Sequence, residues 1–163
     1  MKQVFLVVRR AVFVVLFASM AQVQADSDKY PNEAFIASPG FKRYASECAA
    51  CHTAYLPKFL PSESWKKIMG DLSAHYGVDA SLNKDDLLVI STWLESNAAS
   101  YGKRSEQPPD QRITASRWFK KEHRDISPSV FQRASIKGAA NCQACHVTAE
   151  KGDYDDDNVR IPR

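Results

Sequence analysis

Apolar positions along the chain fall into one continuous run and a series of periodic stretches. The run is Ala11 to Met20, preceded by Lys2, Arg9 and Arg10 and followed by Val23 and Ala25, which fit a signal-peptidase site. It is far shorter than the roughly 20 residues a bilayer span requires, so residues 1–25 read as a secretory signal cleaved after Ala25 rather than an anchor. Asp26 to Pro39 is polar and is expected to wrap the surface. Phe41, Tyr44, Ala45 and Cys48 then recur at helical spacing and predict a helix over residues 40–51. Pro57 and Pro61 interrupt regular structure. Ser62 is placed to cap a helix that reaches Tyr76 and stops at Gly77, with Trp65, Ile68, Leu72 and His75 on one face. Asn83 caps a further helix through Asn97, with Asp86 in the capping-box position and Leu87, Ile90, Trp93 and Leu94 as its buried stripe.

The pattern is lost from Ala99 to Ile113, where Ser, Gly, Gln, two adjacent prolines and charges of both signs read as an interdomain linker, assigned to residues 101–113. Beyond it, Thr114 or Ser116 can cap a short helix carrying Trp118, Phe119 and His123, and Ser127-Pro128 can start another. The expectation is an all-α chain with a first domain over residues 26–100 and a smaller, irregular one over 114–163. About 50 residues with so few large apolar groups cannot bury a sufficient core unaided, so the second unit needs something besides side chains at its centre.

Charge adds one exclusion. Removing residues 1–25 takes Lys+Arg from 22 to 19, equal to the 19 Asp+Glu, so the mature chain is formally neutral and offers no global electrostatic case for nucleic-acid binding. The Asp153, Asp155, Asp156, Asp157 run matches no calcium-loop spacing and reads as solvated charge.

The chemistry lies in the cysteines. All four belong to two C-x-x-C-H units, Cys48-Ala-Ala-Cys51-His52 and Cys142-Gln-Ala-Cys145-His146. Two thiols at that spacing, followed at once by histidine, are the signature of covalent haem c attachment: each thiol forms a thioether to a haem vinyl group and the histidine becomes the proximal iron ligand. Two disulfides in an exported chain, or one Cys₄ zinc site, would use the same cysteines. The first gives no reason for a histidine after each pair, and the second leaves both histidines unused. Phe41 and Tyr44 are expected at the edge of the first haem. The second unit then acquires its core from the second.

The remaining two histidines, His75 and His123, fall one in each half. Met69 is the only methionine left once the signal is removed. His123 is therefore the natural sixth ligand of the second iron, with Phe119 one helical turn earlier to pack its ring. For the first iron, Met69 and His75 point about 120° apart around a shared helix, and His75 continues the buried stripe. His75 is preferred, with Met69 and a crossed arrangement of His75 and His123 as alternatives. Bis-histidine iron lacks the thioether that raises the potential of His/Met cytochromes.

The mature chain resembles the dihaem cytochrome c family of bacterial electron carriers. The likeness rests on both C-x-x-C-H motifs, the run Leu60 to Met69, the Ala74-His75-Tyr76-Gly77 segment with Asp79 to Leu82, Glu122-His123-Arg124, and the ending Val159 to Arg163. The resemblance implies a class I cytochrome c-like N-terminal domain, a small irregular haem-centred C-terminal domain, and bis-histidine ligation through His75 and His123. It further implies a small oxygen-binding monohaem cytochrome as acceptor and a membrane cytochrome b as possible donor. The function expected is a periplasmic, low-potential electron relay, not an enzyme. Its rivals are a small dihaem peroxidase or reductase, and a haem-based redox or gas sensor. Two basic clusters, Lys58-Lys66-Lys67 and Arg117-Lys120-Lys121-Arg124, are candidates for steering an acidic partner.

Overall fold

The computed structural model describes Pro31 and residues 33–163; residues 1–30, with the expected signal over 1–25, and Asn32 lie outside the described residues. Among the described residues six α-helices are joined by 3₁₀ turns and irregular chain, and the only β-type pairing is in isolated bridges. Phe35 and Ile36 of α1 (Glu33–Ala37) pack on the first core. Ser38 caps α2 (Pro39–Cys48), its Oγ accepting from the Phe41 N–H at 3.2 Å. The helix stops short of Cys51 because the apolar stripe that holds it ends at Cys48, and Cys51 is exposed.

The helix over residues 62–76 is shorter than its apolar pattern suggests. α3 runs Ser62–Gly70, with Pro61 rather than Ser62 in the cap position. Glycine costs about 1 kcal/mol in a helix interior, and at Asp71 the backbone leaves helical geometry (φ −138°, ψ 44°). A 3₁₀ turn over Leu72–Ala74 follows, and then Tyr76 and Gly77 both take positive φ, 51° and 96°. The Ala80 N–H donating to the Leu72 carbonyl at 2.9 Å closes this loop. His75 consequently stands in an irregular turn, not on a helical stripe.

α4 (Lys84–Ser96) follows its pattern closely. Asn83 Oδ1 accepts from Asp85 N at 3.1 Å and Asp86 N at 3.0 Å. The Asn83 amide donates to the buried Asp86 carboxylate, which also pairs with Arg43 and so pins α2 to α4. Ile90 and Leu94 are fully buried, and Leu87 and Trp93 flank them. The first core joins them to Phe41, Tyr44, Leu60, Trp65 and Met69.

The stretch 101–113 is strapped against α3 by side chains. Ser64 Oγ donates to Gln111 Oε1 at 2.7 Å, Lys67 Nζ to Gln107 Oε1 at 2.9 Å, and the Tyr76 hydroxyl to the Asp110 carbonyl at 3.1 Å. α5 (Arg117–Glu122) is capped by Ser116, and α6 (Pro128–Phe131) follows Ser127. The second core is Phe59, Trp118 and Phe119, edged by Tyr55, Leu56, Ile113, Ala139 and Tyr154. Its first member comes from the N-terminal half. The tail folds back on the second motif, with Arg160 N donating to the Cys145 carbonyl at 2.9 Å.

The entry of α2 is built without a side chain at Gly40, where a Cβ would stand 2.1 Å from Trp93 Cδ1. Trp93 cannot retreat freely because Phe35, Phe41 and Tyr44 surround it. Gly40→Ala should therefore destabilise the holoprotein by about 1–3 kcal/mol, an overpacking cost, measured as a lowered denaturation midpoint with an unchanged slope.

Candidate functional site

The two C-x-x-C-H motifs sit on different local frames. Cys48 closes α2, while Cys51 and His52 lie in the turn beyond it. Cys142 opens a 3₁₀ turn (Cys142–Ala144), and the His146 N–H donates to the Cys142 carbonyl at 2.8 Å. No disulfide joins any of the four cysteines. They do not converge on one point: among the described residues the only metal-sized cluster of His, Cys, Asp and Glu is the exposed-edge group Asp155, Asp156 and Asp157. The disulfide and Cys₄ zinc readings therefore find no geometry here. Burial pushes the thiols of Cys48 and Cys142 up to about 11.

Each motif histidine faces a second histidine. His52 and His75 have ring centres 6.2 Å apart with planes 25° from parallel, and His146 and His123 have ring centres 6.2 Å apart with planes at 74°. A metal–imidazole bond of about 2 Å on each side, plus about 1.1 Å from each nitrogen to its ring centre, spans nearly that distance, so a single iron fits between either pair. The intervals also match: residues 52 to 75 and 123 to 146 are 23 apart in both cases, with the motif first in one and last in the other. Met69, by contrast, is buried in the first core.

The surrounding groups suit ligand imidazoles. His52 Nδ1 is 2.8 Å from the Thr53 carbonyl, and His123 Nδ1 is 3.0 Å from the Phe119 carbonyl. As donors to these carbonyls, both rings leave Nε2 as the ligating nitrogen. His146 Nδ1 is buried with no hydrogen-bond partner among the described residues. Burial, then His52 and Arg112, lowers His75 from the ordinary histidine value; burial, then His123, lowers His146 against an opposing pull from Asp153. Both favour the neutral ring that binds metal. The donor set of paired thiols and paired imidazoles fits two covalent haems.

The dihaem cytochrome c family model matches residues 44–154, which takes in both motifs and both facing pairs. The chain belongs to the dihaem cytochrome c family. Among solved structures it is similar to the diheme cytochrome type c from Shewanella baltica OS155, at 32% identity over 77% of this chain and 95% of that one, with a TM-score of 0.68. Two structures of the Rhodobacter sphaeroides protein are 38% and 36% identical, each over 69% of this chain, covering 96% and 95% of theirs, with TM-scores of 0.60 and 0.63. No curated protein sequence matches the chain. The protein is thus an all-α dihaem cytochrome c, a haem-based electron carrier with two covalently bound haem c groups.

In this cytochrome the two sites are joined by side chains that the sequence did not single out for that role. Tyr55 stacks on His52 at 4.7 Å and 17°, and its hydroxyl donates to the Ala140 carbonyl at 2.7 Å, two residues before Cys142. Thr53 Oγ1 donates to Gln143 Oε1 at 3.0 Å, tying the residue after His52 into the second motif itself. Phe59 meets Tyr154 at 4.8 Å, and Tyr154 lies 5.4 Å from His146. Tyr55 had a detectable signal, an aromatic three residues after the motif histidine. Tyr154, eight residues after His146, had none. Phe41 and Tyr44 are buried in the first core, and the Tyr44 hydroxyl donates to the Tyr55 carbonyl at 3.0 Å.

Because Phe59 belongs in sequence to the first half and in space to the second core, truncating it should weaken both. Phe59→Ala is expected to cost about 3–5 kcal/mol. Denaturation followed by haem absorbance and by tryptophan fluorescence should show one transition moved by the same amount; an unmoved tryptophan transition would refute the shared core.

Proposed function

We propose that this cytochrome is a periplasmic, low-potential relay in which His52 and His75 hold one iron and His146 and His123 the other. The observation that carries the reading is the equal 6.2 Å separation of the two facing pairs. With an imidazole on each side of both irons, no coordination position is left for a peroxide or nitrogen-oxide substrate, which favours a carrier over an enzyme. The lack of a thioether ligand favours low potentials at both sites. Export is supported by the signal pattern of residues 1–25, and among the described residues no helix is long and apolar enough to cross a membrane.

The oxidised holoprotein should show low-spin bands without the near-infrared charge-transfer band of thioether-to-iron ligation, and carbon monoxide should leave the reduced spectrum unchanged. A near-infrared band would assign Met69 to the first iron. Rapid carbon monoxide binding would favour the sensor or enzyme instead.

We further propose that an acidic redox protein, a small oxygen-binding monohaem cytochrome, is the acceptor, with a membrane cytochrome b as donor. The support is a concentration of positive charge near the second site. Lys58, Lys103 and Arg104, with Glu122 as the one carboxylate, line a groove of about 290 Å³ that Trp118 also borders. Lys121 stands close enough to hold Lys103 below the ordinary lysine value. Arg104 lies 4.8 Å over the Trp118 ring, and Trp118 touches Phe119, on which His123 is stacked. Of the second sequence-derived cluster, Arg117 and Arg124 pair with Glu106 and Asp125 while remaining exposed, and Lys120 and Lys121 are exposed beside them on α5. Lys120→Glu with Lys121→Glu should slow association with an acidic acceptor at least tenfold at low ionic strength, and added salt should erase the difference. Equal rates at low salt would show that docking occurs elsewhere.

A further inference from the structure

The two facing pairs share a separation and differ in orientation, and the chain holds both angles. Histidine χ2 is a broad torsion, so neighbours rather than rotamer preference set a ring's plane. His52 has two such constraints, the Tyr55 ring flat against it and the Thr53 carbonyl at Nδ1. Tyr55 is in turn fixed by its bond to Ala140. His123 also has two, the Phe119 ring at 4.0 Å and 20° and the Phe119 carbonyl at Nδ1. Across from them, His75 meets Tyr76 edge-on at 4.9 Å, and His146 lies 48° from the plane of Tyr154. The outcome is near-parallel rings at the first site and crossed rings at the second.

We infer that Tyr55 and Phe119 are positioning residues that make the two iron sites electronically unlike, the crossed rings biasing the second site toward the reduced state. This rests on the bis-histidine reading. An imidazole donates π density through orbitals perpendicular to its plane. Parallel rings act on the same iron dπ orbital and raise it well above its partner, which stabilises a ferric ion lacking one electron from that set. Crossed rings act on different orbitals, leave the pair nearly degenerate, and stabilise the ferric ion less. Ligand orientation set by neighbouring groups thus joins ligand identity and burial among the levers on a haem site.

Low-temperature electron paramagnetic resonance of the oxidised holoprotein tests this directly. The expected spectrum has two low-spin species in equal amount, one a resolved rhombic set and the other a single ramp-shaped feature at lower field. Phe119→Leu keeps an apolar side chain but removes the flat ring. It should move the low-field feature toward the rhombic position and lower the potential of that couple, leaving the first species unchanged. Tyr55→Leu should perturb only the rhombic set, and Tyr55→Phe, which keeps the ring but loses the bond to Ala140 that fixes it, should shift that set in the same direction by less. The unmodified protein provides the first test, so a variant that fails to fold does not remove it. Two superimposable rhombic signals would overturn the inference and leave the ligand assignment standing. A high-spin signal or a thioether charge-transfer band would overturn the ligand assignment, and the inference with it.

Discussion

The gap between facing imidazoles is the constraint that the rest of this cytochrome serves. Each gap must be held at 6.2 Å by residues 23 positions apart in the chain, and no single element reaches across it. At the first site the two sides are fixed by different means. His52 lies in the turn that follows α2, whereas His75 is carried by a loop made from a glycine-ended helix, a 3₁₀ turn and two positive-φ residues. At the second site His123 is fixed by the end of a capped helix and His146 by a 3₁₀ turn that the C-terminal tail clasps. The first core, through α4, keeps α2 and α3 in register. The apolar packing thus positions the first pair, while for the second much of that work falls to individual hydrogen bonds.

This division explains why the two halves are not independent. The C-terminal part supplies Trp118 and Phe119 but too little else to close a core, and Phe59 from the first half completes it. The Trp118 indole N–H donates to the Phe59 carbonyl at 3.2 Å, so the same residue is held by its backbone as well as its ring. Tyr55 and Thr53 add polar ties on the side nearer the haem motifs. A carrier passing electrons between two irons requires their separation to stay constant, and three independent ties across one seam resist hinge motion better than a linker alone.

Much of the site was legible in the sequence because covalent haem attachment demands fixed residue types at fixed spacing. With four cysteines in two motifs and four histidines in all, the candidate ligands were nearly determined by counting. α4 was legible for a related reason: Asn83, the acidic first turn and the apolar stripe all agree. The end of α3 was less so. Leu72 and His75 continue the helical period, but Gly70 and the non-helical Asp71 break the backbone before that period can be used. Pattern describes which face a residue would occupy if the helix continued, and carries no information on whether it does. Phe59, Tyr154 and Gln143 were not legible because their roles depend on which surfaces meet across the seam, a long-range fact with no local period.

The ring angles lie still further from the sequence, yet each traces to a local arrangement. Phe119 and His123 are one turn apart, so a helix brings them face to face, and the helix-end carbonyl of Phe119 receives the Nδ1 proton from the same direction. Tyr55 reaches His52 instead through an extended loop, where nothing in the spacing fixes the stack; the bond from its hydroxyl to Ala140 does. The plane of the His123 ring is therefore set within a single turn of helix, and that of the His52 ring by contact with the opposite half of the molecule. Perturbing the seam should disturb the first site's electronic structure before the second's, although the second is the one that depends on the seam for its core.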